Sequence, residues 1–178
     1  MTPSSLSIAA QAVLQQGCVF LDCMADEVYA RPLPVDCAAS IGKHYRHVLD
    51  HFLCLREGIR TGKVNYDQRD RDPQLENSVA ASRFVTEDLL DQFGSLSDES
   101  LNRECAVTYS VAYGDDDLEG VPSNVAREVM FCIGHAIHHY AILKLLCSGV
   151  GVTLPREFGI APSTLKHLRG ERWNGLSS

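Results

Sequence analysis

The chain lacks an apolar run that reaches membrane-spanning length without interruption. The best candidate, residues 125–146, is broken by three histidines and by Lys144, whereas a spanning helix needs about 20 predominantly apolar residues. The N-terminus has no basic segment ahead of a long apolar one, so no secretory signal peptide is expected. These absences predict a cytoplasmic protein with no membrane partner.

The chain also lacks a surplus of basic residues. Its net charge is −7 at pH 7, whereas a nucleic-acid partner requires a basic stripe, so no nucleic-acid binding is expected. Hydrophobic residues make up 45% of the chain and charged residues 22%, the proportions of an ordinary globular protein. We therefore predict a single domain over residues 1–178, with no internal repeat and an irregular C-terminal tail over about 150–178.

The seven cysteines include no Cys-x-x-Cys pair. An odd number of cysteines in a chain of this length does not indicate a disulfide framework. Most of them lie at apolar positions of helical patterns, where a free cysteine packs as a small hydrophobic residue. We therefore expect reduced thiols, as is usual in the cytoplasm.

Four stretches with apolar residues at helical spacing predict four long helices. They cover residues 5–28, 36–60, 74–93 and 123–147. Pro32 and Pro34 end the first of them, and Gly149 and Gly151 follow the last. The segment 58–72 is rich in charges and turn formers, and it is predicted to be a long loop.

Between the third and fourth helices the pattern changes from helical spacing to alternation. Residues 104–112 alternate well enough to predict a strand in a small hairpin. The three aspartates at 115–117 are predicted to form a solvated turn, because they lack the spacing and terminal glutamate of a calcium-binding loop. A short helical piece is expected near residues 163–169. The predicted fold class is thus an all-α four-helix bundle with a small β element between helices three and four.

Six of the seven histidines fall into two clusters, one on the second predicted helix and one on the fourth. The clusters are His44, His47 and His51, and His135, His138 and His139. His135 and His139 are four residues apart and share one helix face, whereas His138 points elsewhere. Neutral imidazole is a common metal ligand, and bundles build metal sites from side chains on facing helices. The pattern therefore predicts a divalent metal ion shared by the two helices.

The segment Ser40–Phe52 (SIGKHYRHVLDHF), followed far downstream by residues 135–139 (HAIHH), resembles the DinB/YfiT-like superfamily. The resemblance implies a four-helix bundle with an up-down-down-up arrangement. It also implies a metal ion bound by one histidine of helix two and a His-x-x-x-His pair of a late helix. The His-Val-Leu-Asp stretch matches the helix-two ligand pattern, which assigns the metal to His47, His135 and His139. Helical angle places His44 nearer the apolar face, so His44 remains an alternative to His47.

The resemblance implies less about the reaction. Characterised relatives include thiol-dependent transferases and isomerases that use low-molecular-weight thiols such as mycothiol or bacillithiol. We predict a metal-dependent enzyme, transferase-like or hydrolase-like, in which zinc, nickel or iron activates a thiol or water toward a small-molecule substrate. Two alternatives stay open: a bundle that binds metal or a small ligand without turnover, for stress response or dimerisation, and histidines that bind no metal. A homodimer is expected, because dimers are common among similar bundles.

Polar residues beside the two clusters each have two interpretations. Asp50, one turn from His47, either accepts a hydrogen bond from a histidine ring or lies at the surface. Arg127 and Glu128, about two turns before His135, either orient helix ends or form an exposed ion pair. Three residues of the long loop either bind an anionic group of a substrate or pair with the loop aspartates: Tyr66, Arg69 and Arg71.

Overall fold

Four long helices and a small sheet account for most of the residues described by the computed structural model, namely 4–33, 39–110, 113 and 118–170. The helices, numbered along the chain, are α1 (Ser5–Asp22), α2 (Asp26–Tyr29), α3 (Ile41–Thr61), α4 (Pro73–Asn77), α5 (Val79–Gly94), α6 (Asp98–Leu101), α7 (Val125–Gly149) and α8 (Pro162–Leu168). The strands are β1 (Lys63–Asn65), β2 (Glu104–Tyr109) and β3 (Leu118–Asn124).

The long helices α1, α3, α5 and α7 form the bundle. Helix α1 packs against α5 and α7, and α3 packs against the same two helices from the other side. The fully buried residues between them include Leu14, Phe20, Tyr45, Leu49, Phe52, Leu89, Phe93 and Tyr140. The all-α bundle with a small β element between the third and fourth long helices is therefore confirmed.

Polar side chains at the helix starts explain where the long helices begin. The side chains of Ser4, Ser40, Ser78 and Asn124 each accept a hydrogen bond from the backbone N–H three residues on. Such a cap satisfies one of the backbone donors left free in the first turn. The second helix begins at Ile41 rather than at residue 36, because the chain is still extended at its Ser40 cap.

Two of the predicted helices are each divided in two. The first ends at Asp22, and α2 follows after a turn, where the Asp26 carboxylate accepts a hydrogen bond from the Val79 backbone N–H. The third is broken at Ser78, whose extended backbone (φ −127°, ψ 118°) ends α4 while its side chain caps α5. Apolar spacing alone missed both breaks, because the apolar pattern continues across them.

The β element is larger than the predicted hairpin. Strand β2 pairs antiparallel with β3 and parallel with β1, giving the order β1-β2-β3. Strand β1 lies in the segment 58–72 that was predicted to be a loop, and its three residues are too few to show a period. Residues 111–112 of the predicted strand, and the turn with the aspartates 115–117, lie outside the described residues.

Helix α7 is long and apolar enough, by length and composition alone, to cross a membrane. The expectation that its histidines and Lys144 interrupt the run is wrong by that criterion. One such helix says little, because the core helix of a soluble protein passes the same test. Helix α7 packs against α1 and α3 and contributes the buried Val129, Cys132 and Tyr140 to the core.

Part of the tail predicted over about 150–178 packs against the bundle. Phe158 is buried and its ring stacks on those of Phe20 and Tyr140, with centroids 5.7 Å and 4.9 Å away. The short helix expected near residues 163–169 is observed as Pro162–Leu168. Residues 171–178 lie outside the described part of the chain. The six cysteines within that part are free thiols, and four of them are buried.

Gly17 marks a close approach of α1 to two buried tyrosines. A Cβ at this position would lie 2.8 Å from the Tyr140 hydroxyl and still closer to that of Tyr45. Both rings are fully buried and cannot move aside. We expect Gly17→Ala to lower the free energy of unfolding by about 1–3 kcal/mol, although alanine favours a helix.

The matched control is Gly134→Ala in the middle of α7, where a Cβ would meet nothing within 4 Å. This substitution should raise the free energy of unfolding by about 0.5–1 kcal/mol, because it only restricts the unfolded chain and favours the helix. Urea denaturation of both variants measures the difference. Equal stabilisation by the two substitutions would show that α1 does not approach the tyrosines this closely.

Candidate metal centre

The packing of α3 against α7 brings three imidazole rings together: those of His47, His135 and His139. One ring nitrogen of each lies within 4.8 Å of the others. The Nε2 atoms of His47 and His135 are 3.1 Å apart, and the ring centroids of His135 and His139 are 4.5 Å apart. We call these three residues the histidine group. Its nitrogens are close enough to hold one metal ion, and their role as ligands stays a prediction.

Small residues on α7 allow the two helices to approach at this level. Cys132 and Ala136 are fully buried on the face of α7 that carries the histidine pair. The Cys132 thiol donates to the backbone carbonyl of His51 on α3, with Sγ and O 3.6 Å apart. The close approach places the His135 and His139 rings against α3 rather than in solvent.

Burial keeps the histidine group uncharged. Loss of solvent, with a smaller contribution from the neighbouring histidines, lowers the pKa of His47 to about 2, that of His135 to about 3 and that of His139 to about 4. The three rings are therefore neutral at pH 7. Neutral imidazole carries the lone pair that a metal ion needs, so no proton has to leave the site before binding.

Two of the other three clustered histidines, His44 and His138, lie at the edge of the group or in solvent. The His44 ring centroid is 6.0 Å from that of His139, and His44 belongs to no set of three close ligand atoms among the described residues. His138 is exposed and its ring meets His139 edge to face. The geometry thus groups His47, rather than His44, with the pair on α7.

His51 is the third of these histidines, and the sequence pattern placed it in a cluster without giving it a role. Only 1% of it is exposed, and its Nδ1–H donates to the backbone carbonyl of His47 over 2.9 Å. Its ring stacks on His135 with centroids 3.8 Å apart and on Tyr66 at 5.4 Å. Its Nε2 has no hydrogen-bond partner among the described residues. The four-residue spacing from His47 was the available signal, and it matches that of the pair on α7.

Arg69 contacts the histidine group directly. Its Nη1 lies 3.1 Å from Nδ1 of His47. A guanidinium has only donors, so Nδ1 must accept, and the proton of the neutral His47 ring is then on Nε2. That Nε2–H points at the Nε2 of His135, which accepts. The Arg69 side chain thus turns inward to a histidine of the group, and its binding of a substrate anion stays a prediction.

The donor set fits a metal ion, with one condition. The rings are neutral, their nitrogens converge, and Nδ1 of His139 is buried with no partner among the described residues. Ligation through Nε2 of His47 requires a lone pair there, so the ring proton has to move to Nδ1. A protonated Nδ1 cannot accept from Arg69. Metal binding at that atom and the Arg69–His47 hydrogen bond therefore exclude one another.

A hydrogen-bonded network joins the sheet to α7 beside the group. Glu128 is 4% exposed, and its carboxylate accepts from the Tyr66 hydroxyl over 2.9 Å and from that of Ser123 over 2.6 Å. Burial strongly raises the pKa of Tyr66, which stays a hydrogen-bond donor. Tyr66 is buried rather than facing a substrate. Glu128 is buried rather than part of an exposed ion pair, and its bond to Ser123 agrees with the alternative expectation that it orients the start of the helix.

Asp50 does not orient a histidine ring and does not lie at the surface. It is 3% exposed, and its carboxylate accepts from Arg46 one turn earlier, over 2.6 Å. Arg46 also contacts Glu76 of α4 at 3.0 Å. Both expectations are therefore wrong, because position 50 of α3 faces α4 rather than α7. Arg71 is exposed, as an ion-paired surface loop requires.

Two neighbouring cavities lie along α7 and share two lining residues, and we call them together the groove. Its larger part is a cavity of about 460 Å³ between the sheet and the first turns of α7, and its smaller part, of about 320 Å³, reaches His135. Arg127 and Phe131 line both parts. The other apolar residues of the larger part are Val107, Tyr109, Val121 and Pro122. Ligand sites of proteins have volumes in this range and a mostly apolar lining.

Comparison with known proteins gives a relative in sequence and a relative in structure. No protein-family model matches the sequence. FK506-binding protein 5 of the fungus Rhizopus delemar is 34% identical over 106 residues, which are 60% of this chain and 28% of that protein. The chain therefore spans little more than a quarter of the length of this relative.

The structural relative is the crystal structure of YjoA, a DinB-like protein from Bacillus subtilis. Its TM-score with this chain is 0.64 at 16% sequence identity, and the match covers 85% of this chain and 96% of that one. At this identity the likeness concerns the fold. The resemblance recognised in the histidine motifs is thus confirmed at the level of the fold, and this chain has a DinB-like fold.

Proposed function

We propose that the protein is a divalent-metal-dependent enzyme of the DinB/YfiT-like type, with the ion held by His47, His135 and His139. The observation that carries the proposal is the convergence of three neutral ring nitrogens within 4.8 Å. Three imidazoles suit zinc or nickel, and also iron. A DinB-like fold adds support, because it is the fold that the histidine motifs imply.

An ion bound in this way lowers the pKa of a coordinated thiol or water and so supplies a nucleophile at neutral pH. The surrounding residues position the ligands. The His51 ring stacks on the His135 ring. The Phe131 ring also stacks on the His135 ring, with centroids 5.9 Å apart. The proposed reaction is therefore transfer to a low-molecular-weight thiol, or hydrolysis, of a small molecule.

The groove favours an enzyme over a protein that binds metal without turnover. A catalytic site keeps a coordination position open, whereas a structural site closes its shell with a fourth protein ligand. Within the described residues the group has three members, and the groove gives a small molecule access to His135. A cytoplasmic location, a homodimer and the use of a thiol remain parts of the proposal.

Removal of one histidine on α7 tests the site. We expect His135→Ala and His139→Ala to weaken zinc or nickel binding by more than about 100-fold, because loss of even an outer-shell partner commonly costs 10- to 100-fold. Metal content of protein purified without an affinity tag, and titration against a chromogenic chelator, measure the loss.

The matched controls are His138→Ala, next to the group, and His44→Ala, the alternative ligand. Both should keep wild-type affinity, and circular dichroism should show an unchanged helix content in all four variants. Equal metal content in the wild type, His135→Ala and His139→Ala would refute the site. Loss of metal in His44→Ala but not in His47→Ala would assign the helix-two ligand to His44.

The contact of Arg69 with His47 gives a second test. Arg69→Met removes a hydrogen bond that holds the ring proton on Nε2 of His47, and it removes a positive charge beside the site. Both changes favour binding of the metal ion. We expect zinc to bind about tenfold more tightly. A hydrogen bond to a charged group is worth about 1.5–3 kcal/mol, and solvation of the two groups offsets part of its loss.

Arg71→Met is the matched control, because it removes the same charge from an exposed position two residues away. It should change the affinity by less than about twofold, since exposed charges are screened by salt. Competition with a chelator at fixed ionic strength compares the two variants. Equal or weaker zinc binding by Arg69→Met would mean that Arg69 does not compete with the ion.

A further inference from the structure

We propose that the groove along α7 binds a small apolar carboxylate, with its carboxylate on Arg127 and a metal-coordinating group at the His135 end. This inference rests in part on the proposed metal site and names the substrate class of that site. The carboxylate contact itself does not require the ion, so the two ideas can fail separately.

The groove has the shape and lining of a small-molecule site. Its two parts meet at Arg127 and Phe131, which line both of them, and the proposed ligand passes over these two side chains. Valine, proline and aromatic side chains from β2, β3 and α7 form its walls. Met130 and Val121 on its rim are 62% and 44% exposed, which leaves apolar surface uncovered. An apolar ligand would remove that surface from water.

Arg127 provides the charge for an anion. Its side chain is 61% exposed and its guanidinium lies 5.9 Å above the Phe131 ring. The neighbouring Glu128 is 3.8 Å away, but that carboxylate is buried and already accepts from Tyr66 and Ser123. Arg127 is therefore the exposed member of this pair, and its guanidinium is the part that a ligand in the groove can reach. A guanidinium binds a carboxylate through two parallel N–H donors.

The ring distances give an upper limit for the span between the two ends. The Arg127 guanidinium is 5.9 Å from the Phe131 ring, and that ring is 5.9 Å from the His135 ring. The guanidinium and the His135 ring are therefore less than about 12 Å apart. A ligand with about six carbon atoms between its carboxylate and its coordinating group stays within this limit. Gly134 adds no side chain to the wall of the groove, and a Cβ at this position would meet nothing within 4 Å.

The first arm of the test uses protein loaded with cobalt, whose absorption spectrum reports thiolate coordination. The probe is 6-mercaptohexanoate, and its uncharged twin is 6-mercaptohexanol. We expect the carboxylate probe to bind about tenfold more tightly than the alcohol to the wild type. Arg127→Met should remove that preference and leave the alcohol's affinity unchanged. Arg127→Lys should keep part of it, because lysine retains the charge without the paired donors.

The matched control is Arg156→Met, which removes an exposed arginine away from the groove. It should keep the full preference for the carboxylate. Equal binding of the carboxylate and the alcohol by the wild type, or an unchanged preference in Arg127→Met, would overturn the proposal.

The second arm uses metal-free protein and hexanoate, with hexanol as the uncharged twin. Amide shifts in the nuclear magnetic resonance spectrum should concentrate on residues 127–135 for hexanoate, and Arg127→Met should abolish them. If cobalt does not bind but this pattern is observed, the carboxylate site at Arg127 is supported and the proposed metal function fails. If cobalt binds and hexanoate gives no Arg127-dependent shifts, the carboxylate site is overturned.

Discussion

The close contact between α3 and α7 is the constraint on which the rest of the site depends. Cys132 and Ala136 leave room for α3, and the bond from the Cys132 thiol to the His51 carbonyl fixes the two helices at this level. The contact buries three imidazoles, which makes their charged forms unfavourable and leaves lone pairs for an ion. Without it, His135 and His139 would be an exposed pair one turn apart on a single helix.

The sheet sets the charge beside this group. Strand β1 pairs with β2, and the Tyr66 backbone N–H, just after β1, donates to the Thr108 carbonyl over 3.1 Å. This places Tyr66 under α7, where it reaches Glu128, and directs Arg69 back to His47. The segment after β1 therefore places the Arg69 guanidinium on Nδ1 of His47. Strands β2 and β3 form one wall of the larger part of the groove.

Much of the fold could be predicted, because long amphipathic patterns and capping residues are local properties. The bundle and the starts at Ser4 and Asn124 follow from them. The break at Ser78 and the strand Lys63–Asn65 could not be found in the same way. The apolar spacing continues across Ser78. The strand Lys63–Asn65 forms only by pairing with β2, about 40 residues further along the chain. Such contacts leave no period in the sequence.

The sequence by itself determined the spacing of His135 and His139, since four residues make one turn of any α-helix. It also determined that a second set of histidines lies on the helix around residues 44–51. Only the tertiary structure decided that His47 joins the pair while His44 does not, that His51 is buried beside it, and that Arg69 competes for a ring nitrogen. The reason is geometric. Helical spacing fixes neighbours within one helix, whereas the rotation of one helix toward another depends on how all the side chains between them pack.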